Sequence, residues 1–318
     1  MLDNAARQTI ESDDELDELV EGLTRDEKTI SPKYFYDEVG SQLFDEITRL
    51  PEYYPTQTEL GIMQDNIAEI ARLVGRQASL IEFGSGSSMK THVLLQGLED
   101  LAVYVPVDIS EEHLVASAKS LHQDYPELDI IPLVADFTKP FDLPTPRVMP
   151  LRNIVYFPGS TIGNFTMDDA LSLLDVMYTE AGEGGALLIG VDLQKDPAVL
   201  ERAYNDSAGV TAAFNRNMLR HLNREFDTDF DVESFAHEAR YNQDAERIEL
   251  RLVSSNEQQV QVGDTEITIE KGEGILTEYS HKYTLAGFAD MAAKAGFRVE
   301  KVWTDADSLF SVQYLVRD

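Results

Sequence analysis

No cysteine occurs among the 318 residues. Disulfides, thiolate nucleophiles, iron–sulfur clusters and cysteine-type zinc sites are thereby excluded. Basic residues are scarce: 26 Lys and Arg stand against 58 Asp and Glu, a net charge of −32. So acidic a chain repels a nucleic-acid backbone or an anionic membrane, and neither is expected as a partner. No uncharged apolar run approaches the roughly 20 residues of a membrane span. The opening Met1-Leu-Asp-Asn-Ala-Ala-Arg7 lacks an apolar leader, and 11–18 is acidic, so a cytoplasmic location is expected. The six histidines (His92, His113, His122, His221, His237 and His281) have no ligand spacing such as His-Glu-x-x-His. No metal is expected.

What is present is enough apolar residue, 43%, for a globular core. The length fits one large or two smaller domains. The stretch Ser79-Leu-Ile-Glu-Phe-Gly-Ser-Gly-Ser-Ser-Met-Lys-Thr-His-Val-Leu-Leu95 organises the pattern. An apolar strand at 79–83 runs into the turn Gly84-Ser85-Gly86, and helical spacing follows over 87–97 with Ser87 or Ser88 as N-cap. Strand, glycine turn and helix start form a site for a nucleotide-like ligand. Glycines let the ligand approach the backbone, and the helix start offers N–H groups. Three ligands compete. A dinucleotide turn and a P-loop each want glycine where Met89 stands, although Gly84, Lys90 and Thr91 otherwise fit the P-loop spacing. Glu82-Phe83-Gly84-Ser85-Gly86 instead resembles the turn of S-adenosylmethionine-dependent methyltransferases.

The order of elements favours the third. A helix at 58–74 precedes the glycine-turn strand. Strands at 102–108 and 130–137, each ending in or near an acid, alternate with helices 87–97 and 111–123. Strands at 153–164 and 185–192 follow, separated by helix 167–181. Five strands alternating with helices predict a parallel, doubly wound α/β sheet, with ligands at its carboxyl ends. One long helix is expected over 197–222 and an antiparallel meander over 235–284. Helix 285–295 and a hairpin of 298–304 with 310–316 then close the chain. A parallel sheet closed by an antiparallel hairpin points to a Rossmann-like methyltransferase. The stretch 31–57 is rich in aromatics without clean periodicity, and irregular chain lining a pocket is expected there. Two domains follow: 58–194 with 283–318 binding S-adenosylmethionine, and an α+β part, 1–57 with 195–282, binding substrate.

Strand ends carry the candidate chemistry. Asp108 can accept both ribose hydroxyls. Asp136 can accept an adenine amine, and the Phe137 ring can cover the base. Lys90 suits the carboxylate of a methionyl tail. The sulfonium of the donor is already activated, so such an enzyme must chiefly align nucleophile and methyl and exclude water.

Five ordered motifs carry a closer resemblance: Lys33-Tyr-Phe-Tyr-Asp37, Leu43-Phe-Asp-Glu-Ile-Thr-Arg-Leu-Pro-Glu-Tyr-Tyr-Pro-Thr56, Gly159-Ser-Thr-Ile-Gly-Asn164, Ala203-Tyr-Asn-Asp-Ser-Ala-Gly-Val-Thr-Ala-Ala-Phe-Asn-Arg-Asn217 and Leu276-Thr-Glu-Tyr-Ser-His-Lys282. Together they resemble the histidine Nα-methyltransferases of ergothioneine biosynthesis. The resemblance implies three methyl transfers to the α-amine of L-histidine, giving hercynine. It places Asn164 near the amine and Tyr204 at the carboxylate. Tyr36 and Tyr53 line the reacting nitrogen, with Tyr36 and Asn164 as the catalytic pair. Glu278 and Ser280 bond the imidazole, and Phe44 and Leu250 belong to the substrate pocket. Gly84, Gly86, Lys90, Asp108, Asp136 and Phe137 bind the cofactor. Glu278 and Ser280, two apart on an expected strand, face one side. The carboxylate accepts a ring N–H, and the hydroxyl serves the other nitrogen. Leu250 departs from the methionine expected in some members, a change of similar volume. Relatives acting on tryptophan-like substrates, and a P-loop-like nucleotide-binding regulator, stay open as alternatives. A monomer is expected.

Overall fold

The structure, a computed structural model, describes residues 6–7, 12–85 and 89–317. A short strand β1 (Ala6–Arg7) and helix α1 (Ser12–Thr24) come first. Pro32–Phe35 then forms a 3-10 turn, followed by α2 (Glu38–Ile47) and α3 (Tyr54–Val74). The doubly wound segment comprises β2 (Ala78–Phe83), α4 (Met89–Gly97), β3 (Val103–Asp108), α5 (Glu111–Asp124), β4 (Leu133–Val134), β5 (Arg152–Phe157), α6 (Met167–Ala181) and β6 (Ala186–Asp192). Helices α7 (Pro197–Tyr204) and α8 (Val210–Glu225) lead into β7 (Phe235–Asn242), β8 (Arg247–Ser254), β9 (Gln258–Val262), β10 (Thr265–Ile269) and β11 (Gly274–His281). Helix α9 (Leu285–Lys294) and the pair β12 (Phe297–Thr304) and β13 (Phe310–Arg317) end the chain.

Two compact units result. One holds Pro55–Gln194, the chain from Lys282 onward and β1; the other holds the chain from α1 to Tyr54 and Lys195–His281. The first is built on an eight-stranded sheet of order β1-β4-β3-β2-β5-β6-β13-β12. Neighbours from β1 to β6 pair in parallel, whereas β13 runs antiparallel to both β6 and β12. Successive residues alternate between faces, and both faces are covered. Leu80, Tyr104, Ile154, Tyr156 and Leu188 pack on one side with Ile62, Met63 and Leu94. Ile81, Val105, Val155, Phe157 and Ile189 pack on the other with Leu173, Met177 and Phe288. Near-continuous apolar runs are what a sheet buried on both faces requires. The chain winds outward from β2 to β3 and β4, then returns to β5 on the other side of β2. That reversal places a crevice at the carboxyl end of β2.

The strand expected over 130–137 is shorter than the spacing suggests. Only Leu133–Val134 is strand, with Ile130 bridging Tyr104. Pro132 has no N–H to donate, so a continuous ladder cannot pass through it.

The second unit has its own core of Leu23, Phe35, Phe214, Leu219, Ile248, Leu250 and Leu252 among others. Its antiparallel sheet has the order β11-β8-β7, while β9 and β10 form a separate two-stranded hairpin. The single meander expected over 235–284 is therefore interrupted: β11 pairs with β8 and not with β10. Alternating Ile248, Leu250 and Leu252 give β8 a buried face and the central position. The hairpin turns at Gly263, where φ is +55°, and buries Val260, Val262, Ile267 and Ile269 instead.

Two further expectations change. The long helix expected over 197–222 is two helices, because the Asp206 carboxylate accepts N–H bonds from Val210 (2.9 Å) and Thr211 (2.8 Å) and starts α8 afresh after Gly209 at φ +75°. The aromatic stretch 31–57 is largely helical. Asp37 caps α2 by accepting from the Gly40 N–H at 2.7 Å. The same carboxylate accepts from Asn217 at 2.7 Å and pairs with Arg224. Helix α3 starts ahead of the expected residue 58, with Pro55 in its first turn, where the missing N–H costs nothing.

Candidate active site

Five strand ends of the first unit assemble the first half of the chemistry. At the end of β2, Gly84 adopts φ +70°, a left-handed conformation that favours glycine, and its N–H bonds the Val107 carbonyl at 2.9 Å. A Cβ here would stand 3.6 Å from the Phe137 ring. The Phe137 ring thus flanks the turn directly. Gly86, Ser87 and Ser88 lie outside the described residues.

Asp108 ends β3, and its Oδ1 accepts the Ser110 N–H at 2.9 Å. Asp136 follows β4 and accepts from Thr138 N (3.0 Å) and Thr138 Oγ1 (2.5 Å), with the Lys139 ammonium 3.2 Å away. Burial alone would raise this carboxyl, but those bonds outweigh it and hold it below the ordinary range. It is therefore an acceptor at neutral pH. Phe137 lies beside Phe83 and Phe157, with centroids at 5.6 and 5.9 Å. Glycine turn, two acids and an aromatic ring at successive strand ends fit an adenosine-bearing ligand.

After β5 the chain makes two left-handed residues, Gly159 (φ +81°) and Ser160 (φ +56°), then a 3-10 turn, Thr161–Asn164. For serine that conformation is strained, and the surroundings over-determine it. Ser160 Oγ accepts the Asp192 N–H at 2.9 Å, and the Gly159 N–H donates to Glu59 at 2.9 Å. Asn164 is half-buried at the end of this turn. Asp192, last in β6, forms a wholly buried ion pair with Lys282 at 2.7 Å. Such a pair adds little net stability, yet removing either member leaves a buried charge at a cost of roughly 3–5 kcal/mol.

Lys90 lies in the first turn of α4, its ammonium 2.6 Å from Glu59. This pairing bears on the P-loop alternative. A P-loop lysine offers its charge to phosphates, whereas Lys90 is already neutralised by a buried carboxylate. Glu82, at the foot of the glycine turn, accepts hydrogen bonds from Tyr104 (2.5 Å) and Thr91 (2.8 Å). Burial pushes its carboxyl from 4.5 up to about 7 against those bonds.

The second unit brings its expected residues into one row. Glu278 and Ser280 lie on the same face of β11, because the irregularity in the strand falls between Leu276 and Glu278 and leaves the spacing after it regular. Both are buried, 8% and 3% exposed. Leu250 on β8 stands opposite Glu278, and Ile248 opposite Ser280. Ser280 Oγ is 2.7 Å from the Tyr204 hydroxyl at the end of α7. From Tyr204 a chain of edge-to-face rings runs through Tyr53 and Phe44 to Tyr36, with centroids 5.8, 6.3 and 5.9 Å apart. Each such contact adds roughly 0.5–1.5 kcal/mol beyond area burial and sets the ring orientation. Tyr36, Phe44, Tyr53, Tyr204, Leu250, Glu278 and Ser280 are thus assembled within one unit.

Sequence reading missed Glu59 and His237. Glu59 lies four residues before Met63 on the buried face of α3, and an acid on an apolar stripe was the available signal. His237 is a supporting group. Asn215 Nδ2 donates to its Nδ1 at 2.9 Å, which assigns the ring proton to Nε2, where it bonds the Tyr204 carbonyl at 2.9 Å. Burial lowers the His237 pKa and keeps the ring neutral. Among the described residues, no group of His, Asp and Glu side chains is placed to hold a metal ion.

The strand order, the antiparallel closing hairpin and the glycine turn at the switch point are those of a Rossmann-like methyltransferase. A solved O-methyltransferase family protein from Burkholderia thailandensis shares the fold, with TM-score 0.50 and 14% identity over 96% of this chain and 68% of that chain. Residues 15–317 match the family described as histidine-specific methyltransferase, SAM-dependent, and the chain belongs to that family. It is 42% identical over 301 residues to the histidine N-alpha-methyltransferase of Mycolicibacterium smegmatis, covering 93% of this chain and 92% of that protein. It is 34% identical over 192 residues to Ergothioneine biosynthesis protein 1 of Neurospora crassa, covering 59% of this chain and 22% of that protein.

Proposed function

We propose that this chain transfers three methyl groups in succession to the α-amino nitrogen of L-histidine, giving hercynine for ergothioneine biosynthesis. The observation that carries the reading is the buried pair Glu278 and Ser280 on one face of β11, with Ser280 bonded to Tyr204. Two polar groups two residues apart suit a ring with two nitrogens. Glu278 accepts one ring N–H, and Ser280 serves the other nitrogen. Tyr204 holds the carboxylate, and Leu250 closes the pocket beside Glu278.

S-adenosylmethionine, when bound, supplies a methyl group on an activated sulfonium. The unit built on the eight-stranded sheet binds it: Asp108 takes the ribose hydroxyls, Asp136 and Phe137 the adenine, and Lys90 the methionyl carboxylate. Gly84 supplies the glycine turn at the end of β2 that faces it. The chain's remaining task is to present a neutral amine. A peptide α-amine has a pKa of roughly 8, so near neutral pH most of it is protonated. Tyr36 and Asn164 offer oxygens that accept the amine N–H bonds and aim its lone pair. That lone pair forms the carbon–nitrogen bond while the carbon–sulfur pair stays with sulfur, and a proton leaves to solvent before the next transfer. Each transfer removes one N–H, so the amine contacts weaken stepwise. The carboxylate and imidazole anchors, Tyr204 with Glu278 and Ser280, keep the dimethylated amine in place for the third transfer.

Mass spectrometry of histidine incubated with the protein and S-adenosylmethionine tests the reading. Trimethylhistidine is expected, and methylation of tryptophan in preference to histidine would overturn the substrate assignment. Tyr36→Phe and Asn164→Ala should slow the first transfer most and the third least. Accumulation of dimethylhistidine with an unaffected first transfer would show that the amine roles are wrong.

A further inference from the structure

We infer that Glu59 is a positioning residue of the cofactor site, holding the Lys90 ammonium and the Gly159 turn in register for the amino-acid tail of the ligand. This rests on the assignment of S-adenosylmethionine to the first unit. Glu59 lies on α3, three residues past the 43–56 motif and outside every motif that carried the functional reading, and is 1% exposed. Its Oε2 is 2.6 Å from Lys90 Nζ. Its two oxygens lie 3.1 and 2.9 Å from the Gly159 nitrogen, which donates to them. Lys90 follows β2 and Gly159 follows β5, the two strands that flank the crevice. One carboxylate therefore ties together both sides of the switch point.

Two glycines make room for it. A Cβ at Gly190, within β6, would stand 2.1 Å from Glu59 Oε1, a distance no side chain tolerates. A Cβ at Gly159 would stand 3.1 Å from Lys90 Nζ. The carboxylate thus occupies space that β6 leaves open by lacking a side chain, and the ammonium lies directly against the turn.

Packing alone does not call for an acid here. Ile62, Met63, Ile70 and Val74 already seat α3 on the sheet. Burying a carboxylate is costly even when paired, and an apolar residue of like volume is commonly as stable or more so. The charge is explained by what it does to Lys90. A lysine on its flexible four-carbon stem loses much rotamer entropy when a ligand fixes it. Glu59 fixes it beforehand. An ammonium has three donors, so one bond to Glu59 leaves others for a ligand carboxylate. The pair is neutral overall, which suits a zwitterionic amino-acid tail and not a polyphosphate.

The test compares two ligands. S-adenosylhomocysteine has the tail, whereas 5′-methylthioadenosine has the same adenosine and thioether without it. Titration calorimetry with Glu59→Gln should show about tenfold weaker S-adenosylhomocysteine binding, the scale of a hydrogen bond to a charged group, with 5′-methylthioadenosine within about twofold of wild type. Glu59→Asp, which keeps the charge but is a methylene too short, should show the same selectivity and serves if the amide variant does not fold. Lys90→Met should also lose only the tail-bearing ligand, and adding Glu59→Gln to it should weaken binding by less than Glu59→Gln does alone, the remainder being the share carried through Gly159. Equal loss of both ligands, or loss of neither, would overturn the inference while leaving the cofactor assignment standing. Failure of the wild-type protein to bind either ligand would overturn both.

Discussion

The Tyr204 hydroxyl and Ser280 Oγ are 2.7 Å apart, joining the end of α7 to β11. Two residues proposed to hold different ends of the substrate thus share one hydrogen bond, which links the proposed carboxylate and ring anchors. Tyr204→Phe and Ser280→Ala should each lower kcat/KM for histidine. Their effects should fall short of additive by about 1 kcal/mol, the usual worth of such a bond. Strict additivity in the double-mutant cycle would mean that the bond plays no part in binding.

Glu278 should set side-chain choice. Glu278→Ala should cut activity on histidine by orders of magnitude more than any residual activity on an aromatic amino acid without a second ring nitrogen, because a hydrogen-bonding pocket penalises unmatched polar groups strongly. Competition assays with mixed substrates read the ratio directly. Equal losses on both would assign Glu278 to the architecture of β11 alone.

Asp108→Ala should weaken S-adenosylmethionine binding by roughly 1.5–3 kcal/mol. Asp108 also accepts the Ser110 N–H at the start of α5, so the alanine variant disturbs a turn as well. Asp108→Asn keeps that acceptor and separates the two effects. Calorimetry in which both variants bind like wild type would remove Asp108 from the site.

Glu82 should leave a mark on stability against pH. Its carboxyl is raised by burial to about 7 in the folded protein. The folded chain therefore holds a proton that the unfolded chain has released at lower pH. Stability from this group is full below the ordinary carboxyl pKa of roughly 4.3 and is lost as pH rises through about 7. The melting temperature of wild type relative to Glu82→Gln should fall between pH 5 and 8. A difference that stays constant over that range would mean Glu82 does not titrate there.

The local grammar of the chain determined most of the architecture by itself. Apolar runs such as 79–83 and 185–192, each bounded by turn residues, are strands because their neighbours in sequence decide burial on both faces, and a terminal hairpin is legible for the same reason. The glycine turn at Gly84 and the acids Asp108 and Asp136 were visible because each lies at a strand end that periodicity locates. Glu278 and Ser280 share a face because a strand alternates, which needs no knowledge of the partner. Part of what failed was also local in cause: Pro132 shortened a strand, and Asp206 with Gly209 divided a helix whose apolar spacing ran on regardless, whereas the pairing of β11 with β8 in place of β10 was not. Only the tertiary structure decided which distant side chains meet. Tyr204 and Ser280 are 76 residues apart, and Glu59 and Gly159 are 100 apart. No periodicity encodes either contact. Both depend on how sheets and helices stack, and that is set by the summed burial of many residues and not by any one segment.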